Sequence, residues 1–169
     1  SGPRPLSSLP LGEFFSGFTM GFMISLICVY LNTYETFQWD GATLGGIFLI
    51  ALPNTVWIAN LMLANNICDL EEDENNNRYT LVHYLGKGRG LRLFILLNII
   101  AFCAILMAVV LHIAPWTMLL TFLVLPFVWK QTKLFMHKQI KRETFVCAVK
   151  ILAVGACAQV ISFAIGLIL

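Results

Sequence analysis

Residues 43–64 read TLGGIFLIALPNTVWIANLMLA, and residues 65–81 continue as NNICDLEEDENNNRYTL. The first stretch carries no charge, and its length matches the roughly 20 residues of helix that cross a bilayer core. The second holds five of the nine acidic residues within six positions: Asp69, Glu71, Glu72, Asp73 and Glu74. A membrane helix that delivers a group of carboxylates to a membrane face decides how the rest of the chain is read.

Four more apolar segments flank it, at about 11–31, 91–111, 115–129 and 144–169. The fourth span is short and reaches adequate length only if 112–114 forms a tight turn at the membrane face. The segments are rich in Leu, Ile, Phe and Ala and lack the alternation of outer-membrane barrel strands. The expectation is an all-α, polytopic transmembrane helix bundle of five spans, forming a single transmembrane domain over 1–169 with a loop at 65–90. Composition agrees. Of 169 residues, 59% are hydrophobic and 12% charged, and the mean hydropathy is +0.81. A soluble domain carries about 25% charged residues, and a water-soluble globule of this size has too little interior for so much apolar side chain. A soluble enzyme, a nucleic-acid-binding domain and a disordered chain are excluded; the lipid bilayer is a partner and nucleic acid is not.

The positions of the basic residues orient the bundle. Arg4 precedes the first span; Arg78, Lys87, Arg89 and Arg92 lie between the second and third; Lys130, Lys133, Lys138, Lys141 and Arg142 lie between the fourth and fifth. The other two connections contain no Lys or Arg. This alternation is what five spans with a cytoplasmic N-terminal side require, so the expected location is the cell membrane, multi-pass, with the acidic loop cytoplasmic. The first span is too long for a signal-peptide core and lacks the usual basic flank. The opening Ser1-Gly-Pro-Arg-Pro-Leu6 reads like a loop within a longer polypeptide. The five cysteines contain no CxxC pair and read as small buried hydrophobes.

Continued as a helix, Asn65, Asp69 and Asp73 stand four apart on one face, with Asn66 and Glu72 close to it. Two carboxylates at this spacing, with amides one turn deeper, suit Mg²⁺ held jointly with a substrate phosphate. A solvated acidic loop remains the plain alternative. Acids beside a cytoplasmic face run against the usual charge bias, and Asn60 and Asn54 continue the polar residues inward, as in helices that line cavities or pack on other helices. An EF-hand fails at both diagnostic positions: from Asp69, Glu74 falls where Gly is needed and Thr80 where a bidentate Glu is needed. Arg78, Lys87 and Arg89 offer charge to a diphosphate, although Gly86-Lys-Gly-Arg-Gly90 lacks the spacing of a phosphate loop and reads as a basic juxtamembrane turn.

The string Asn65-Asn-x-x-Asp69-x-x-x-Asp73, followed by Arg78-x-Thr-Leu81, resembles the second aspartate-rich motif of the UbiA-type aromatic prenyltransferases. Within that superfamily it is most similar to the branch that prenylates 1,4-dihydroxy-2-naphthoate in menaquinone biosynthesis. Gly2-Pro-Arg-Pro-Leu6, Pro10-Leu-Gly-Glu13 and Gly17 are similar to the stretch before the fifth helix of that branch. The resemblance covers essentially the whole chain and implies that the five spans correspond to helices five to nine of a nine-helix bundle. It further implies Mg²⁺-dependent transfer of a polyprenyl group from polyprenyl diphosphate to an aromatic acceptor, with loss of CO₂ when the acceptor is 1,4-dihydroxy-2-naphthoate. Asp69 and Asp73 carry over as catalytic metal–diphosphate ligands, and Asn65, Asn66 and Arg78 as diphosphate-binding candidates. Two departures stand out. Asn77 occupies a position that is often Gly in the family, and the first Asp-rich motif has no counterpart here, so missing N-terminal helices or a partner chain would have to supply it. A non-catalytic remnant or subunit, a superfamily member with another aromatic acceptor, and a small cation transporter are the competing readings; acids clustered at one end of one helix argue against the transporter.

The remaining polar residues in or beside the spans have ordinary readings. Glu13 lines a cavity or benefits from a helix N-terminus, Lys150 snorkels, and Trp116 and Trp129 anchor at interfaces. His112 belongs to a turn, and Pro53 kinks the second span.

Overall fold

The computed structural model describes residues 10–169, and every regular element in that range is a helix. Five are long and apolar enough to cross a membrane. These are α1 (Gly12–Thr33), α2 (Gly41–Cys68), α5 (Lys87–Val110), α6 (Trp116–His137) and α7 (Phe145–Ile168). Two short helices, α3 (Leu70–Asn75) and α4 (Leu81–Leu85), lie between α2 and α5. The connection expected as a loop at 65–90 is therefore largely helical. Arg4 and the opening Gly2–Leu6 motif lie outside the described residues.

The central helix is α2, which packs on α1, α5 and α7. Trp57 and Phe102 meet edge to face at 5.9 Å, and Phe94 lies 4.7 Å from Phe135. Polar ties reinforce this apolar centre. The Phe94 carbonyl accepts from Asn60 Nδ2 at 3.0 Å and Asn98 Nδ2 at 3.1 Å, and Asn98 also reaches Thr132 Oγ1 at 3.4 Å. Amides that join helices in this way satisfy donors that hydrocarbon cannot.

Two expectations need correction. The fourth span does not stop at Trp129. It starts as a 3₁₀ helix at Trp116–Val124 and runs as an α-helix to His137, so Lys130 and Lys133 are helical residues. Val128, Gln131, Thr132 and Phe135 form its buried face, and the lysines on the other faces lower the hydropathy without ending the helix. The second span also does not continue unbroken through the acids. At Asp69 (φ −98°, ψ 8°) α2 ends and α3 begins. The hydrogen bonds Asp69 N–H to Asn65 C=O (3.0 Å) and Asp73 N–H to Asp69 C=O (2.8 Å) cross the break. The one-turn spacing of the acids therefore survives a bend in the axis. Asn77 takes a left-handed φ of 56°, a conformation asparagine tolerates better than most residues, and this closes the turn after Asp73. His112 does the same between α5 and α6 at φ 55°.

Candidate active site

Asp69 and Asp73 are both buried, whereas Glu71, Glu72 and Glu74 are exposed. Glu72 does not join the paired acids as expected, and Glu74 turns instead to His83 Nδ1 at 2.7 Å. The acidic run thus divides into two inward carboxylates and three outward ones. Each inward carboxylate meets a cation. Arg78 Nη1 lies 3.1 Å from Asp73 Oδ1, and the Arg78 N–H donates to the Asp73 carbonyl at 2.8 Å. Lys141 Nζ pairs with Asp69 Oδ2. Burial pushes the Asp73 carboxyl above the usual carboxylate range; Arg78 opposes this, neighbouring Asp69 and Glu72 add to it, and Lys141 opposes it.

Lys141 comes from the connection between α6 and α7, 72 residues beyond Asp69. That connection is built to a fixed shape. Gln139 Nε2 donates to the Phe135 and Met136 carbonyls at 2.7 and 2.8 Å, closing the end of α6. Thr144 Oγ1 accepts from the Ile140 N–H at 2.9 Å, and Lys138 pairs with Glu143 at 2.7 Å. No sequence spacing announces the Asp69–Lys141 contact; the basic charge of the connection was the only signal.

The asparagines separate. Asn65 is half-buried, and its carbonyl serves the Asp69 N–H. Asn66 is buried and donates Nδ2 to Glu13 Oε1 at 2.8 Å. Glu13 is itself buried, and its Oε2 has no hydrogen-bond partner. Glu13 stands in the first turn of α1, where a helix N-terminus favours a carboxylate, and its bond to Asn66, expected by neither earlier reading, ties the start of α1 to the end of α2. Lys150 is exposed, as snorkelling requires. Among the described residues no three His, Cys, Asp or Glu side chains converge as a metal cluster.

The arrangement defines a polytopic helical membrane protein with paired carboxylates and two cations at one end of its central helix. The chain matches the UbiA prenyltransferase family over residues 3–152 and belongs to that family. It is also 36% identical over 85 residues to the 1,4-dihydroxy-2-naphthoate octaprenyltransferase of Bacillus subtilis (strain 168). That match spans 50% of this chain and 25% of the relative. No solved structure matches the chain.

Proposed function

We propose that the chain provides the second aspartate-rich half of a membrane prenyltransferase. The enzyme moves a polyprenyl group from polyprenyl diphosphate to an aromatic acceptor, and 1,4-dihydroxy-2-naphthoate, prenylated with loss of CO₂, is the acceptor the relative's name supports. The observation that carries the reading is the burial of Asp69 and Asp73, one turn apart, each against its own cation at a helix end.

The residues fit Mg²⁺. This ion keeps several waters and uses one or two carboxylates together with substrate phosphates, so the lack of a third acidic ligand is no obstacle. Asp73 Oδ2 is buried without a hydrogen-bond partner and has the chemistry of an open ligand position. Asp69 and Asp73 would hold the ion, which when bound would neutralise the diphosphate and ease its departure. Arg78 and Lys141 would then exchange carboxylate for phosphate oxygens, Arg78 through its planar fork and Lys141 as a point charge. The residual charge of the leaving group is met at the membrane face, on the side that basic connections mark as cytoplasmic. Asn66 is committed to Glu13 and acts here as a support of the site floor, which leaves Asn65 as the amide proposed to meet the diphosphate.

Binding of geranylgeranyl diphosphate to the full-length protein in its membrane tests the reading. Saturable binding that requires Mg²⁺ and weakens about tenfold or more in Lys141→Ala, with partial recovery in Lys141→Arg, is the expected result. Metal-independent binding, or binding indifferent to Lys141, would overturn it. The same assay has a pH signature. Protons compete with the ion for Asp73, and burial makes that carboxyl hold its proton more strongly than a free one. Mg²⁺ affinity is therefore expected to begin falling, as pH drops, above the usual carboxylate range.

A further inference from the structure

Between Glu74 and Glu143 the chain contains no acidic residue, so α5 and α6 carry no negative charge. The cations in and after the end of α6 divide into two sets. Lys138 and Lys141 have acidic partners, Glu143 and Asp69. Lys130 and Lys133 have none among the described residues. Both are exposed, and with Pro126, Leu134 and His137 they line one shallow recess on α6, at the three- and four-residue spacings that share a helix face. Lys133 Nζ stands over the Trp129 ring, 5.4 Å from its centroid. Tryptophan settles at the membrane–water interface, so the indole holds this ammonium group at headgroup level.

Trp129 also joins the recess to an apolar groove between α5 and α6. The groove continues along Ile95, Ile99 and Leu106 of α5 and Leu125 and Phe122 of α6. No ionised side chain lines it. Asn98 and Thr132 in its wall are buried, bonded to each other and to the Phe94 and Val128 carbonyls. From Thr132 to Phe122 it follows α6 for about 15 Å, the depth of one leaflet in a hydrocarbon core about 30 Å thick. A cationic recess over an apolar groove one leaflet deep has the polarity of a phospholipid, head above chain. A zwitterionic head brings its own ammonium group to the lysines. A head of net negative charge meets two unpaired cations and no acid.

We propose that α5 and α6 form a binding site for one anionic phospholipid, drawn from the leaflet on the carboxylate side of the bundle. Its phosphate rests on Lys130 and Lys133, and one acyl chain passes Trp129 into the groove. Neither Asp69 nor Asp73 lines the recess or the groove, so the site stands whether or not the chain transfers prenyl groups. Snorkelling lysines attract anionic lipid without any groove, and the test separates the two cases.

Full-length protein in a mild detergent is titrated with a phosphatidylglycerol carrying a diazirine in one acyl chain, and attachment is read by peptide mass spectrometry. Saturable labelling of α5 and α6 peptides around Cys103 and Leu125 is expected, with unlabelled phosphatidylglycerol competing about tenfold better than phosphatidylcholine. The double variant Lys130→Gln, Lys133→Gln is expected to bring the two competitors within about twofold of each other. Cys103 lines the groove and is exposed, so Cys103→Phe fills the groove and leaves both lysines. It is expected to weaken labelling about fivefold or more. Labelling indifferent to Cys103→Phe would mean a lipid held by charge alone and would overturn the proposal. Equal competition by the two lipids in the unaltered protein would overturn it, as would the absence of saturable labelling on α5 and α6, which would mean that another protein segment covers the groove. Displacement of the label by geranylgeranyl diphosphate would assign the recess to a diphosphate lipid and overturn it too. If the double variant does not fold, Cys103→Phe and the ratio of competitors in the unaltered protein decide.

Discussion

Asp73→Asn in the full-length protein is expected to lower Mg²⁺-dependent prenyl transfer by about 10²–10³-fold, the usual scale for deleting one preorganised electrostatic partner of a transition state, while leaving the metal-free fold as stable as before or more so. The two halves of that expectation have one cause. The Asp73 carboxylate is buried, one of its oxygens has no hydrogen-bond partner, and its pKa is raised chiefly by burial. A carboxyl whose pKa is higher in the native than in the unfolded state favours folding as the pH falls through that raised value and opposes it above. At neutral pH the ionised group is therefore expected to oppose folding. An amide of the same shape removes that charge together with the metal ligand. Arg78 does not become a buried orphan, because its side chain is 43% exposed. Asp69→Asn is expected to reduce activity similarly but without the stability gain, since Lys141 already meets that carboxylate. Rates from a prenyl-transfer assay and thermal midpoints in one detergent would check both halves. Full activity in Asp73→Asn would remove the carboxylate pair from the mechanism, and a large drop in its midpoint would make the group structural.

The spacing of these two acids is legible in the sequence because it is local: residues four apart stay neighbours even when the helix bends at Asp69. The cation on Asp73 is nearly as local, since the turn closed by Asn77 brings Arg78 back within five residues. Lys141 is different in kind. Its contact with Asp69 depends on where α6 ends, and that end cannot be read from hydropathy. Lys130 and Lys133 suggest a boundary near Trp129, yet the buried face Val128, Gln131, Thr132 and Phe135 runs past them at helical period. Two of those four residues are polar, so only a reading of periodicity would have extended the span. The bond from the Gln159 amide to the Ile50 carbonyl, 109 residues apart, leaves no local trace either.

Gly21→Ala is expected to separate α1 from α2, although it adds a single methyl group. Gly17 and Gly21 are one turn apart on α1, and the stretch between them opens a π-helical segment, Phe18–Met23. A Cβ on Gly21 would lie 2.4 Å from Thr55 Cα and 2.8 Å from Thr55 N, and one on Gly17 would lie 2.5 Å from the Thr55 carbonyl oxygen. These obstacles are backbone atoms of the central helix, so no rotamer change relieves them. Small residues let membrane helices approach to such distances, and the resulting packing is what holds them where both solvents are apolar. Overpacking costs about 1–3 kcal/mol even where side chains adjust, and here whole helices must move. Glu13 lies two turns before Gly21 on the same helix, so displacement of α1 withdraws it from Asn66 and loosens the floor beneath Asp69 and Asp73. Gly45→Ala supplies the opposite case. It is the same substitution within α2, and a Cβ there meets nothing within 4 Å, so a gain of roughly 0.5–1 kcal/mol is expected from the reduced backbone freedom of the unfolded segment. A lower thermal midpoint for Gly21→Ala and an unchanged or higher one for Gly45→Ala is the expected pair, with Mg²⁺-dependent diphosphate binding weakened only in the first. Equal midpoints would mean that the two helices do not meet at Gly21. A lower midpoint with intact diphosphate binding would uncouple α1 from the site and leave Glu13 a purely structural residue.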